Sequence, residues 1–262
     1  MRAHENMSVE GDFLVEAHGE ISIILMNRPE KLNAMRRSFY RDLCKVISTL
    51  EHDGRTRAIV LTGSGDKAFS AGADISSFGD LKTLDDKLAY MTDAMAGFSA
   101  IECSTLPIIA AVNGLALGGG CEITLACDIV IASDKAVFGM PEVTLGLVPG
   151  YGVLRAPQVI GRQMTKLMVM AAERLSAEEA LDVGLVQRVV PHANLMTTTL
   201  ALAKKVASYS SLAHTIGKKI INRSVDRSAA DFATIALAML SGSEEAAKRL
   251  RESRHLVPIA VD

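Results

Sequence analysis

The feature that most restricts the fold is an uncharged run at residues 107–121, "PIIAAVNGLALGGGC". Its 15 residues include Asn113 and four glycines, and a membrane-spanning helix needs about 20 apolar residues. The run is therefore expected inside a protein core. Its apolar first half, "LPIIAAVNG", predicts a short buried strand that ends at a glycine turn.

Strands and helices alternate along the first three quarters of the chain. Residues 13–27 predict two strands joined by a tight turn at His18–Gly19, and residues 38–53 predict a helix, since their apolar positions recur every three or four residues. "RAIVLTGSG" and "CDIVIAS" predict further buried strands. This alternation predicts an α/β fold whose sheets are largely parallel and covered on both faces.

The C-terminal part has a different pattern. From about residue 194 helical segments dominate, and Leu212, Ile216 and Ile220 recur on one helix face. We predict a core at residues 1–195, which begins with a polar tail at residues 1–11, and a C-terminal helical region at residues 196–262. The apolar faces of that region either seal an oligomer interface or pack only on their own core.

Composition excludes some classes of partner. Lys and Arg number 28 against 30 Asp and Glu, for a net charge of −2, so nothing favours nucleic acid or an anionic membrane as the main partner. Hydrophobic residues make up 49% of the chain, which leaves apolar surface to spare and favours an oligomer. The N-terminal residues "MRAHENMSVE" lack the apolar run of a signal peptide, so we expect a cytoplasmic location.

The glycines of "ALGGGCE" are expected at a helix N-terminus, where free N–H groups attract a negative oxygen. Glu122 lies three residues after Gly119, about one helical turn, and shares that face. Between residues 107 and 132 the charged residues are Glu122 and Asp128. A carboxyl group so isolated should have a raised pKa, as a general acid or base requires. The structural alternative, a glutamate that complements the helix dipole, stays open from this segment alone.

Two further segments carry similar signals. In "AFSAGADIS" the small residues 71–73 let the backbone approach a ligand closely, although an ordinary tight loop would look the same. Glu142 follows Pro141 and is expected in the first turn of a short helix. Together the three segments suggest two acid/base groups beside an oxyanion hole.

Other catalytic motifs are missing from the sequence. It contains no G-x-x-x-x-G-K-[ST], no G-x-S-x-G and no H-E-x-x-H, and its six histidines are scattered. A nucleotide cradle, a histidine-based triad and a metal site are therefore not expected.

Five segments together resemble the enoyl-CoA hydratase/isomerase (crotonase) superfamily, in register over about residues 13–191. They are "NRPEKLNAM", "AFSAGADI", "PIIAAVNGLALGGGCEITLACDIVIAS", "FGMPEVTLGLVPG" and "RLSAEEALDVGLVQRVVP". The resemblance implies a crotonase-like spiral of ββα units with a C-terminal helical oligomerisation region, assembled as a homotrimer or a dimer of trimers. It also implies an acyl-CoA thioester substrate and no metal or redox cofactor, because CoA is part of the substrate.

The resemblance also implies roles for single residues. The N–H groups of Ala73 and Gly119 would form the oxyanion hole, while Glu122 and Glu142 would hold the water that adds to a 2-enoyl-CoA thioester. The residue at Glu122 would help to activate the water, and the one at Glu142 would deliver a proton to the α-carbon. CoA contacts would come from Ala71, Gly72, Asp74, Ile75 and Lys31, with Lys67 as a further candidate. For both lysines a solvated surface charge is the alternative.

Two departures from the family pattern leave the acyl group and the reaction open. The family's usual P-G-x-G-G-T-Q-R-L is replaced by "PGYGVLRAP", which places an altered loop at residues 150–157. The tail reads "SEEAAKRLRESR" instead of E-G-x-x-A-F-x-E-K-R. We expect an enoyl-CoA hydratase. An enoyl-CoA isomerase and a carnitinyl-CoA-type dehydratase are the alternatives within the fold, and a non-catalytic acyl-CoA-binding or RNA-binding protein is the alternative outside enzymes.

Overall fold

The computed structural model describes residues 6–8, 12–222, 234–235, 238–239, 241–242 and 244–253. Most of the helix expected near residues 229–242, and most of the expected polar tail, lie outside the described residues. The tail does contain one described element, a strand at Asn6–Ser8. It pairs antiparallel with the strand Phe13–His18.

Within the described part of the chain, the strands form a larger and a smaller sheet. In chain order they are β1 (Asn6–Ser8), β2 (Phe13–His18), β3 (Ile21–Met26), β4 (Ala58–Gly63), β5 (Ala68–Ser70), β6 (Ile108–Val112), β7 (Leu115–Leu117), β8 (Ile129–Ser133), β9 (Val137–Gly139), β10 (Arg174–Ser176) and β11 (Arg188–Val190). The larger sheet has the order β1-β2-β3-β4-β6-β8-β11, and the smaller has the order β10-β9-β7-β5. From β3 to β11 the larger sheet is parallel, which confirms the expected α/β class.

The helices lie between the strands and after them. They are α1 (Arg37–His52), α2 (Leu84–Cys103), α3 (Gly119–Ala126), α4 (Gly152–Val159), α5 (Gly161–Met170), α6 (Ala177–Asp182), α7 (Leu195–Ala207), α8 (Ser211–Ile221) and α9 (Glu244–Ser253). Short 3₁₀ turns occupy Pro29–Lys31, Ile75–Asp80, Pro141–Leu145 and His192–Asn194.

The two predicted strands at residues 13–27 form the β2–β3 hairpin, with Phe13 opposite Met26. Its turn contains Gly19 at φ +66°, a left-handed conformation that glycine adopts without strain. The helix expected at residues 38–53 is α1, which buries the periodic apolar side chains on one face. The local sequence pattern was therefore sufficient to predict both the hairpin and the helix.

The chain changes sheets in a way that the sequence did not reveal. The strand predicted in "LPIIAAVNG" is β6, which ends at Val112, and the chain then enters the other sheet, where β7 begins at Leu115. The Asn113 side chain stabilises this crossing, since its Nδ2 donates to Gly63 O at 3.0 Å and to Gly65 O at 2.6 Å. The pairs β4–β5 and β8–β9 divide between the sheets in the same way.

Buried side chains form two cores, one on each face of the larger sheet. The first packs the smaller sheet and α1 to α3 against the larger sheet. The second lies under α7, whose Leu195, Ala203 and Ala207 pack on Ile21 and Val60. Helix α7 is thus packed on the sheet, and the division into residues 1–195 and 196–262 stays a prediction.

Helix α8 turns its polar side to the rest of the protein. Lys218 Nζ donates to Ile101 O at 2.9 Å and to Asp128 Oδ2 at 2.8 Å, whereas the predicted apolar face of Leu212 and Ile216 is exposed. Among the helices of the described residues, none has the length and apolar character needed to cross a membrane.

Candidate active site

Three neighbouring strand ends assemble the candidate site. Strands β5, β7 and β9 are parallel and adjacent in the smaller sheet, so their carboxyl ends meet at one edge. Residues 71–74 follow β5, the glycines 118–120 follow β7, and the turn Pro141–Leu145 follows β9. Ligands of open α/β sheets commonly bind at the carboxyl ends of strands. The fold therefore collects three segments that the sequence spreads over 70 residues (71 to 141).

The turn after β5 is held against the N-terminus of α1. Met35 N donates to Gly72 O, and Asp74 N donates to Met35 O, both at 2.8 Å. Ala73, which lies between them, donates its N–H to no residue in the part of the chain that the structure describes. This half-buried N–H is available to a ligand oxygen.

A second N–H lies beside it at the start of α3. Gly119 is the first residue of α3, and the N–H groups of a first helical turn have no intrahelical acceptor. Gly72 packs directly against it: a methyl group added at Gly72 would lie 3.1 Å from Gly119 N and 2.7 Å from Leu117 O. Gly72 therefore brings Ala73, the next residue, close to the start of α3.

Glu122 is buried in the first turn of α3, with 6% of its surface exposed. Its Oε1 accepts a hydrogen bond of 2.8 Å from Gly152 N, the first residue of α4. Burial raises the pKa of Glu122 from its ordinary 4.5 to about 7, although the N–H groups of Gly152 and Tyr151 act in the opposite direction. The carboxyl group is thus able to exchange a proton near neutral pH.

Glu142 lies next to Gly118, in the turn Pro141–Leu145. A methyl group added at Gly118 would lie 3.0 Å from Glu142 Oε1. Its Oε2 is buried and has no hydrogen-bond partner among the described residues. Burial, and then the negative charge of Glu122, raise the pKa of Glu142 well above its usual range. The raised pKa favours the protonated form of this carboxyl group, which can donate a hydrogen bond or a proton.

The residues expected to contact CoA lie along the same turn. Ala71 N donates to Leu32 O at 2.9 Å, which brings residues 71–75 next to Lys31, an exposed cation at the end of Pro29–Lys31. Gly72 and Ile75 belong to this edge. Lys67 is exposed too, but it precedes β5 and lies at the other end of that strand from Ala71.

The Asp74 side chain has an internal role. Its Oδ2 accepts a 3.0 Å hydrogen bond from Arg28 Nη1, and its Oδ1 accepts from Ser76 N at 3.2 Å, which caps the turn Ile75–Asp80.

Two residues that shape the site, Asn33 and Gly152, were not identified from the sequence. Asn33 Nδ2 donates to Ala68 O at 2.9 Å and so holds β5 in place, yet its segment "NRPEKLNAM" contributed only to the resemblance. Gly152, the hydrogen-bond donor to Glu122, was missed because residues 150–157 were interpreted as an altered loop. That interpretation was wrong from Gly152 onwards, where helix α4 begins.

Metal ligands do not cluster at this edge. In the ranges that the structure describes, no three His, Cys, Asp or Glu side chains come close enough to hold a metal ion.

The fold and the paired carboxyl groups define an α/β protein with an acid–base site beside two backbone donors. The chain belongs to the enoyl-CoA hydratase/isomerase family, whose sequence model matches residues 16–256. It is 41% identical to the short-chain-enoyl-CoA hydratase of Clostridium acetobutylicum over 212 residues, which cover 80% of each chain. It is 34% identical to the crotonyl-CoA hydratase of Syntrophomonas wolfei over 84% of this chain and 82% of that one.

A solved structure gives the same result for the fold. The crystal structure of an enoyl-CoA hydratase/isomerase from Mycobacterium paratuberculosis superposes with a TM-score of 0.86 at 29% identity. The match covers 92% of this chain and 98% of that one. The crotonase-like fold expected from the sequence is confirmed.

Proposed function

We propose that the protein is an enzyme that hydrates 2-enoyl-CoA thioesters to 3-hydroxyacyl-CoA. The observation that carries this proposal is the pair of carboxyl groups beside the glycines, since Glu142 Oε1 lies next to Gly118 and Glu122 Oε2 lies next to Gly119. Relatives named as enoyl-CoA hydratases, 34–41% identical, support the same reaction.

The oxyanion hole of the proposal consists of the N–H groups of Ala73 and Gly119. Both would donate to the thioester carbonyl oxygen, on which negative charge develops when the β-carbon is attacked. Fixed backbone donors stabilise such an enolate without reorganising, and losing one donor typically costs about 10²–10³-fold in rate.

The environments of the two carboxyl groups suggest different proton roles. Glu142, whose pKa is raised by burial and by the charge of Glu122, begins as the acid, and Glu122, which accepts a hydrogen bond from Gly152 N, begins as the base. Glu122 accepts a proton from water as the water oxygen bonds to the β-carbon. The C=C electron pair shifts towards the carbonyl, and the α-carbon of the enolate then takes the proton of Glu142. One water is added, and the return of a proton from Glu122 to Glu142 completes the cycle.

CoA recognition is proposed along the turn after β5. Ala71, Gly72, Asp74 and Ile75 would offer backbone groups to the adenine, and Lys31 would face a phosphate of CoA. The exposed position of Lys31 beside residues 71–75 supports this arrangement. The addition of water has no net change in oxidation state, so the proposed reaction requires no redox cofactor.

The proposed assembly is a homotrimer or a dimer of trimers, in the cytoplasm. Exposed apolar side chains on α8 support an oligomer, because Leu212, Ile216 and Ile220 are each at least half exposed in the single chain.

Crotonyl-CoA tests the reaction directly. Hydration removes the conjugated thioester absorbance and yields a product heavier by one water. A product of unchanged mass would indicate isomerisation. Failure to convert short, long and cyclic enoyl-CoA thioesters, in either direction, would overturn the proposal and leave a binding function as the better interpretation.

A further inference from the structure

The altered segment at residues 150–157 forms a buried polar cluster with the end of α2. The Tyr151 hydroxyl donates to Glu102 Oε2 at 2.9 Å, and Arg155 forms an ion pair with Glu102 Oε1. Arg155 Nε also donates to the Tyr151 hydroxyl at 3.4 Å. The Tyr151 ring packs on Phe98 of α2, with the ring centroids 5.0 Å apart.

This cluster holds the N-terminus of α4. Tyr151 directly precedes Gly152, and Arg155 lies in the first turn of α4. Gly152 N in turn donates to Glu122 Oε1. There is no space for a side chain at this contact, since a methyl group at Gly152 would lie 2.6 Å from Met140 Sδ. The position of one backbone N–H therefore depends on how α4 is fixed to α2.

The α2 side of the cluster is fixed as well. Asn222, which follows α8, donates from Nδ2 to Glu102 O at 2.9 Å, and Lys218 of α8 donates to Ile101 O at 2.9 Å. The last turn of α2 is thus anchored by backbone contacts that do not involve α4.

Stability alone is a weak reason for this arrangement. The side chains of Arg155 and Glu102 are 10% and 12% exposed, and taking such a pair out of water costs free energy that its attraction often fails to recover. Apolar side chains of similar volume would join two helices at least as well. A buried hydrogen-bonded pair does, however, restrict the relative position of two helices more strictly than apolar contacts do.

We propose that Glu102, Tyr151 and Arg155 are positioning residues, which clamp α4 to α2 and so hold the Gly152 N–H against the Glu122 carboxylate. The consequence for catalysis rests on the proposed function, in which Glu122 is the base. The clamp itself predicts an effect on Glu122 whatever the reaction is.

The predicted effect is on the ionisation of Glu122. A donated hydrogen bond favours the charged carboxylate, so a loosened α4 should raise the pKa of Glu122. The titratable groups on which the charge of Glu122 acts are Glu142, Tyr40, Tyr90 and Cys121. Burial raises the pKa values of the two tyrosines and the cysteine, which leaves Glu142 as the group that can titrate together with Glu122.

The experiment removes the Tyr151 hydroxyl and follows the ionisation of the Glu122 carboxyl group. Tyr151→Phe keeps the ring on Phe98 but breaks the link to Glu102. Both Tyr151→Phe and its reference protein carry Glu142→Gln, so that Glu122 titrates without its coupled neighbour. Infrared difference spectra across pH follow the protonated carboxyl band, and the band that disappears in Glu122→Gln identifies the group. This measurement needs no turnover, so it tests the clamp even if the proposed function fails.

We expect Tyr151→Phe to raise the midpoint of Glu122 by about 0.5–1 pH unit. In the otherwise native enzyme it should lower kcat about 5–50-fold with KM within about twofold, and move the acidic limb of the pH profile upwards. Thr199→Val is the matched control. It removes a buried hydroxyl that bonds Leu195 O in α7, remote from α4, and should leave the midpoint and the pH profile unchanged.

A second variant tests whether the residues act as one unit. Glu102→Gln should shift the midpoint in the same direction, and the double variant with Tyr151→Phe should shift it no further than the larger single change. An unchanged Glu122 midpoint in folded Tyr151→Phe would overturn the proposal. Additive shifts, or an equal shift in Thr199→Val, would overturn it too.

Discussion

At the scale of single residues, the site depends on two carboxyl groups kept out of water. Glu122 accepts a hydrogen bond from Gly152 N, and Glu142 has a buried oxygen with no partner among the described residues. Such groups cost stability in the folded protein, and they acquire pKa values suited to proton transfer. The loss of stability and the shifted pKa values can be measured separately.

Glu122→Gln should lower turnover far more than affinity. The amide keeps the shape and can still accept from Gly152 N–H, but it cannot take a proton from water. We expect kcat to fall about 10²–10⁴-fold, with the dissociation constant for butyryl-CoA, a saturated analogue measured by calorimetry, changed less than about threefold. The exposed Glu173→Gln is the control. Equal losses of turnover and affinity would indicate a structural role for Glu122.

The same substitution should stabilise the fold at neutral and higher pH. Because burial raises the pKa of Glu122 from 4.5 to about 7, folded protein retains a proton that the unfolded chain has released. The free energy of unfolding thus falls as the pH rises through that interval. At about pH 8, Glu122→Gln should be more stable than wild type by up to about 3 kcal/mol, and near pH 4.5 this advantage should vanish.

Urea unfolding at the two pH values, at constant protein concentration, measures this difference. A variant that is less stable than wild type at the higher pH would contradict it.

At the scale of elements, the turn after β5 sets the distance between two backbone donors. Gly72 has φ +89° and lies against the end of β7. A side chain there meets the carbonyl of Leu117 and strains the backbone, so the turn needs glycine for two independent reasons. The positions of Ala73 and Gly119 are consequently coupled through this one contact.

Gly72→Ala should therefore damage stability and activity together. We expect a loss of about 1–3 kcal/mol in the free energy of unfolding and about 10²-fold or more in kcat. Gly19→Ala separates the two causes, because Gly19 also has a positive φ, +66°, but an added methyl group there would meet no atom within 4 Å. Gly19→Ala should lower the free energy of unfolding by about 1 kcal/mol and leave kcat unchanged. Wild-type kcat in folded Gly72→Ala would exclude this turn from the oxyanion hole.

At the scale of the whole molecule, α8 combines a polar inner side with an apolar outer side. Lys218 fixes the helix to Asp128 and to the end of α2. That orientation leaves Leu212 69% exposed and Ile216 50% exposed. Burying such a face in a subunit interface would recover roughly 25 cal/mol for each Å² of apolar surface.

Charges on this face should break the proposed assembly. Light scattering is expected to give a trimer or hexamer for wild type, and a smaller mass for the double variant Leu212→Asp/Ile216→Asp. Lys166→Glu, an exposed change on α5, should leave the mass unaltered. A monomeric wild type, or a double variant of unchanged mass, would contradict the proposed trimer.

Much of the candidate site was predictable because its signals are local. The glycines that begin α3, the isolated Glu122 one turn later and Glu142 after Pro141 are all visible within a few residues. The raised pKa expected for Glu122 followed from its uncharged surroundings and agrees in direction with its burial in the fold. Asp74 could not be judged in this way, because its partner Arg28 is 46 residues away.

By itself the sequence determined the α/β class, the positions of some described helices and strands, among them β2, β3, β4, β6, β8 and α1, and a short set of candidate residues. Hydrophobic periodicity and turn residues encode those features locally. The tertiary structure alone decided that β5, β7 and β9 end side by side, that Gly152 donates to a carboxyl group 30 residues away, and that residues 150–157 begin a clamped helix. Each of these depends on contacts between distant segments, which packing establishes and no local pattern contains.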